Sequence, residues 1–156
     1  MDRQTRSQLI AKYKDGYREV VAALEGATDK ELDARPAPGK WTAREIVHHL
    51  ADSEMTSAVR LRLLVAEKNA TIRAYDEKEF AARLHYNRPI ANSLLAFQAA
   101  RLSTGDLLDR MSDADFAKTG THPEHGSYGV GRWLEIYAEH AHKHAEQIRR
   151  ARASAA

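Results

Sequence analysis

Residues 139–150 read EHAHKHAEQIRR and place three of the chain's eight histidines within five positions. The secondary structure of this stretch decides both the fold and which imidazoles can act together. On a strand, His140, His142 and His144 would share one face. On a helix only His140 and His144, four apart, lie together, while His142 falls almost opposite. The surrounding sequence, RWLEIYAEHAHKHAEQIRRARASAA (132–156), is rich in Ala, Glu, Lys, Gln and Arg, and Ile136 and Ile148 are its only β-branched residues. That composition favours a helix. Trp133, Ile136, Tyr137, His140, His144 and Ile148 then form an inward stripe of period 3.6, with Glu135, Glu139, His142, Lys143 and Glu146 outside it. His142 is therefore expected to face water.

The same period extends the pattern toward the N-terminus. A first helix spans about residues 4 to 25, with Leu9, Tyr13, Tyr17, Val20, Val21 and Leu24 at helical spacing and Gly26 as its stop. The loop DARPAPGKW (33–41) leads to Thr42, whose Thr-x-x-Glu pattern with Glu45 is a capping box opening a second helix that runs to about Lys68. Residues 69–89 form a long connection with a short helix near 77–84. A third helix runs from Pro89 to Met111. SDADFAKTGTHPEHGS (112–127) is rich in turn residues, with Ser112 capping a brief helical turn and Ser127 expected to cap the fourth helix. No strand pattern stands out. The expected fold is a single all-α domain over residues 1–156, a four-helix bundle with a long crossover between helices two and three.

Bulk properties narrow the function. At 156 residues one core suffices without covalent staples, and 24 basic against 22 acidic residues leave a net charge of +2, which is no nucleic-acid signature. With no cysteine, any metal must sit on His, Asp or Glu. The start MDRQTRSQ is not followed by an apolar segment, and no stretch has the length of a membrane span, so a soluble cytoplasmic protein is expected.

The second helix carries IVHHLADSE (46–54), whose adjacent histidines lie about 100° apart. His49 groups with Ile46, Leu50 and Ser53 on the apolar side; His48 groups with the polar side and is expected at the surface, as is His85. If helices two and four are neighbours, His49, His140 and His144 converge as three neutral ligands with a fourth position open, the pattern of a catalytic metal site. Asp52 is the candidate to orient His49 or accept a proton, with Glu45 the other carboxylate of the helix that could act as a base. His122 and His125 read first as an ordinary proline turn and second as a rim to the cavity mouth. Trp41 is expected to staple the start of helix two, and Trp133 and Tyr137 to pack the core.

KWTAREIVHHLADSE (40–54), AYDEKEF (74–80), HPEHG (122–126) and YAEHAHKHAEQI (137–148), in this order, resemble the DinB-like superfamily, above all its YfiT-type members. The specific part is the Trp-Thr-x-x-Glu-x-x-x-His-Leu opening of helix two together with His-x-x-x-His in helix four. The resemblance implies an often dimeric four-helix bundle that binds zinc, nickel or a similar divalent ion through His49, His140 and His144. It also implies one of two activities: metal-dependent hydrolysis, or transfer of a low-molecular-weight thiol such as bacillithiol to an electrophile. Thiol transfer suits a chain without cysteine, because the thiol then arrives as a cosubstrate; a non-catalytic, stress-induced metal- or ligand-binding bundle is the third expectation. The glycines of SYGVGRW (127–133) depart from the Thr-Leu pair usual in the family.

Overall fold

Four long helices carry the architecture of the computed structural model, which describes residues 1–124 and 126–155. They are α1 (Arg3–Leu24), α3 (Ala43–Ala66), α5 (Ala91–Leu108) and α7 (Val130–Ala153); between them lie the short α2 (Asp29–Asp33), α4 (Glu77–Arg83) and α6 (Asp113–Phe116) and the strands β1 (Thr119–His122) and β2 (Gly126–Gly129). The expectation attached to His125 lies outside the described residues. Among the described residues no helix is long and apolar enough to cross a membrane.

Side-chain contacts fix the order and direction of the helices. Lys12, Glu19 and Ala23 of α1 meet Glu139, Arg149 and Arg152 of α7, so these two run parallel. His48, Glu54 and Arg62 of α3 meet Ser93, Arg101 and Ser103 of α5, again parallel. His49 and Ser57 of α3 meet His140 and Trp133 of α7 in the opposite sense, as Tyr17 and Lys14 of α1 do Phe97 and Asp109 of α5. The bundle is therefore wired up, down, down, up. Parallel α3 and α5 require the chain to return along the whole bundle, which is what the 67–90 crossover does.

Local chemistry accounts for the element ends. Thr42 and Glu45 close the expected capping box at α3, Ser112 and Asp115 do the same at α6, and Gly26 sits at φ 66° just after α1. Two elements differ from the sequence reading. Thr28 and Glu31 form a third capping box and start α2, whose Leu32 is buried in the core. Strands β1 and β2 pair antiparallel, so Ser127 faces Thr121 in the ladder instead of capping α7, which begins after Gly129 without a side-chain cap. The strand pair is anchored to the crossover by Ile72 N–H donating to Thr121 O (2.8 Å) and Thr121 N–H to Ala70 O (2.9 Å). At Gly120 a Cβ would stand 2.5 Å from the Ala70 carbonyl oxygen, which explains the glycine.

Candidate metal centre

The antiparallel contact of α3 with α7 brings together the three imidazoles that the helical period selects. Their ring centroids lie 5.3 Å (His49–His140), 4.8 Å (His49–His144) and 4.5 Å (His140–His144) apart. His140 Nε2 stands 3.4 Å from His49 Nε2 and 3.2 Å from His144 Nε2. Two nitrogens bound tetrahedrally to one ion at roughly 2.0–2.1 Å are separated by roughly 3.3–3.4 Å. The spacing thus fits ligands of a common ion, and among the described residues no aspartate or glutamate joins the group.

Burial sets the charge state. It pushes the imidazole of His49 down to about 3 and that of His144 down to about 4, and holds His140 well below the ordinary value, with the neighbouring rings and Arg101 adding to the effect on His140. All three are neutral near pH 7, the form that ligates a metal. Nδ1 of His140 is buried without a hydrogen-bond partner and the Gln147 side chain stands beside His144, so packing and a neutral amide, not a carboxylate, orient these rings. Trp41 lies against His49 (centroids 4.6 Å) and Tyr137 meets His140 edge-on (5.7 Å). Trp41 thus covers a candidate ligand at the helix start.

The other histidines lie elsewhere. His48 is fully buried, contrary to the expectation of a surface residue: Nδ1 is 2.7 Å from Ser93 Oγ and Nε2 2.9 Å from the Arg88 carbonyl oxygen. The reason is that α3 lies between α7 and α5, so the 100° step from His49 to His48 turns from one neighbour to the other rather than to water. His142 is likewise half-buried against α1, with Nε2 3.0 Å from Lys12 O, because α7 lies between α3 and α1. His85 is exposed in the left-handed region, at φ 52°. His122 is buried in β1 beside Tyr128, with Glu124 N–H donating to its Nδ1 (3.2 Å).

Among the candidate carboxylates, Asp52 accepts from the Tyr86 hydroxyl (2.6 Å) on the His48 side of α3, and Glu45 is held by its cap and by Arg35 (2.7 Å). Sequence reasoning passed over a buried ion pair. Glu54 and Arg101 are 0% and 2% exposed and meet at 2.6 Å. Arg101 also donates Nε–H to Tyr13 O (3.0 Å) and from Nη2 to Tyr137 O (3.2 Å), while the Tyr13 hydroxyl donates to Glu54. This network joins all four long helices one turn below His140. Burial pushes the Glu54 carboxyl up, and Arg101 and Tyr13 oppose the shift. The signal was present: Glu54 stands four after Leu50, and Arg101 four after Phe97, both on apolar stripes.

A cleft of about 660 Å³ opens beside Trp41, the residue that lies against His49; Ile46, Glu77, Lys78, Gln147 and Arg150 are among its other walls. Its size suits a small molecule.

Comparison with known proteins agrees with this arrangement. A protein of Oceanobacillus iheyensis named "Putative metal-dependent hydrolase" is 41% identical over 142 residues, 91% of this chain and 83% of its own length. One of Bacillus mycoides with the same description is 33% identical over 139 residues, 89% of this chain and 80% of its own. The fold is similar to that of YfiT from Bacillus subtilis, described as "a probable metal-dependent hydrolase with an unusual four-helix bundle topology". The TM-score is 0.89 at 29% identity, covering 95% of this chain and 86% of that one. Residues 12–148 match the model of the DinB superfamily, and the chain belongs to that family.

Proposed function

We propose that His49, His140 and His144 hold a divalent ion, zinc or nickel, through their Nε2 atoms, and that the protein uses it to act on a small molecule bound in the adjoining cleft. The observation that carries this is the 3.2 and 3.4 Å spacing of three neutral, converging nitrogens. An ion held there supplies Lewis-acid chemistry, acidifying a thiol or water at the position that three protein ligands leave open. The chain's own part is to keep the imidazoles neutral by burial, to fix His49 under Trp41, and to present the cleft.

The choice of nucleophile turns on a base. Activation of water calls for a positioned proton acceptor. Glu45, Asp52 and Glu54 are engaged by Arg35, Tyr86 and Arg101. A thiol ionises near pH 8.5 even when free and needs less help. This supports thiol S-transfer, with a bacillithiol-like cosubstrate attacking an electrophile, as the function. Hydrolysis is the second reading, favoured by the names of the relatives and by Glu77: it lines the cleft, and burial with Asp76 pushes its carboxyl up toward an acid–base role. A cytoplasmic setting and a homodimer accompany the proposal.

Turnover assays on metal-loaded and metal-stripped protein decide between them, with bacillithiol, mycothiol and glutathione against monochlorobimane, and p-nitrophenyl acetate without thiol. Metal-dependent thiol conjugation is expected. Metal-dependent ester cleavage alone would establish the second reading, and flat rates in every combination from metal-loaded protein would leave a binding bundle.

A further inference from the structure

Arg60 is the contrast to Arg101. Arg101 has a buried carboxylate; among the described residues no carboxylate lies within ion-pair distance of Arg60, although Glu77 is near enough to feel its charge. Arg60 Nη1 donates to the Tyr137 hydroxyl (3.3 Å) and Nη2 to the Arg73 carbonyl (2.6 Å), while Nε is buried with no partner. Two of the five guanidinium N–H groups are thus used. The guanidinium carbon lies 5.5 Å from the centre of the Tyr75 ring, and the buried Tyr75 hydroxyl has the Ser53 side chain beside it and makes no well-formed hydrogen bond.

The position of this group matters. Tyr137 precedes His140 by one turn, and their rings are 5.7 Å apart. Ser53, buried one turn after His49 on α3, lies on the same side. A guanidinium partly withdrawn from water without a counter-charge is costly, and more so beside a centre that itself collects positive charge. Both tyrosines keep their protons at neutral pH, because a phenol ionises only near pH 10. Tyr137 accepts from Arg60, and its hydroxyl, like that of Tyr75, also has the Ser53 side chain beside it, so a guanidinium and three hydroxyls gather at one place. A guanidinium with unused N–H groups beside several hydroxyls, gathered at one end of a reactive centre, matches an oxyanion.

We propose that Arg60, Tyr75 and Tyr137 form an oxyanion-holding subsite one helical turn from the three imidazoles, which takes a carboxylate or phosphoryl group of the substrate. This deepens the proposed function and rests on its placement of the reacting centre at His49, His140 and His144. The subsite orients the substrate: with its anionic end fixed at Arg60, the rest of the molecule lies across the imidazoles toward the cleft.

The test is calorimetric titration of metal-free protein with inorganic phosphate and, separately, acetate, so that coordination to a metal plays no part. Saturable binding of at least one is expected, and the preferred anion tells phosphoryl from carboxylate. Arg60→Met should weaken it at least tenfold, Tyr137→Phe severalfold, and Arg83→Met, an exposed residue paired with Glu79, not at all. Arg60→Lys, which keeps the charge, should fall between and serves if Arg60→Met does not fold. The proposal is overturned if neither anion saturates the parent, if the Arg60 variants bind as the parent does, or if Arg83→Met weakens binding as much as Arg60→Met. Metal content is measured on the same preparations before stripping. Arg60-dependent binding in a protein that takes no metal would keep the subsite and refute the metal reading; metal-loaded protein whose anion binding ignores Arg60 would do the reverse.

Discussion

Replacing Arg101 by methionine keeps the stem of the side chain and removes only the guanidinium, which isolates the contribution of the buried network. Four hydrogen bonds to three partners disappear, those to Glu54 (2.6 Å), Tyr13 O (from both Nε and Nη2) and Tyr137 O (3.2 Å), and Glu54 remains in the interior with the Tyr13 hydroxyl but no cation. Breaking a buried pair from one side costs about 3–5 kcal/mol, because the surviving charge is left uncompensated. At about 2–4 °C per kcal/mol for a domain of this size, the melting temperature should fall by roughly 6–20 °C. Urea and thermal unfolding of metal-free protein, followed by circular dichroism, measure both quantities. Two controls make the cause specific. Arg101→Met combined with Glu54→Leu removes both charges and should be more stable than the single variant by about 2 kcal/mol or more. The single variant's deficit relative to that double variant should shrink in acid: Glu54 has a folded pKa raised by burial, so protonation favours the native state and stability returns as pH falls through that value. A loss below about 1 kcal/mol, or a double variant no better than the single, would refute the account of this network.

Two further outcomes follow from the same packing. Metal-free protein should lose stability as pH drops from about 6.5 toward 4, because His49, His140 and His144 stay neutral when folded but take up protons when unfolded; each contributes up to about 1.4 kcal/mol per pH unit, and urea midpoints that stay level from pH 7 to 5 would contradict it. Gly16→Ala would bring a Cβ to 2.7 Å from Ala141 Cβ and 2.8 Å from Arg101 Nη2, so it should destabilise by about 1–3 kcal/mol in denaturant titrations even though alanine favours helices.

Helical periodicity was enough to identify the bundle and to separate His49 from His48 and His140 and His144 from His142, because a 100° step per residue is a property of the backbone alone. What it could not supply was the number of neighbours each helix has. His48 and His142 face solvent only if a helix has one inner face; α3 and α7 each pack against two partners, so both residues are drawn into contacts, His48 with Ser93 and His142 with Lys12 O. The β1–β2 pair escaped notice for a different reason: its strands are four residues each and hold together through backbone bonds to Ala70 and Ile72, which leave no apolar alternation to read. Arg60 and Tyr75 come together only because the crossover passes beside α3, a tertiary event with no local signature.

Metal content of the purified protein, determined by elemental analysis beside the variants His140→Ala and His142→Ala, tests the central claim most directly. The parent and His142→Ala should each carry about one equivalent of a divalent ion, and His140→Ala should lose most of it, since one of three ligands is gone. A parent without metal after loading, or a His140→Ala protein that retains as much as the parent, would contradict the placement of an ion among His49, His140 and His144.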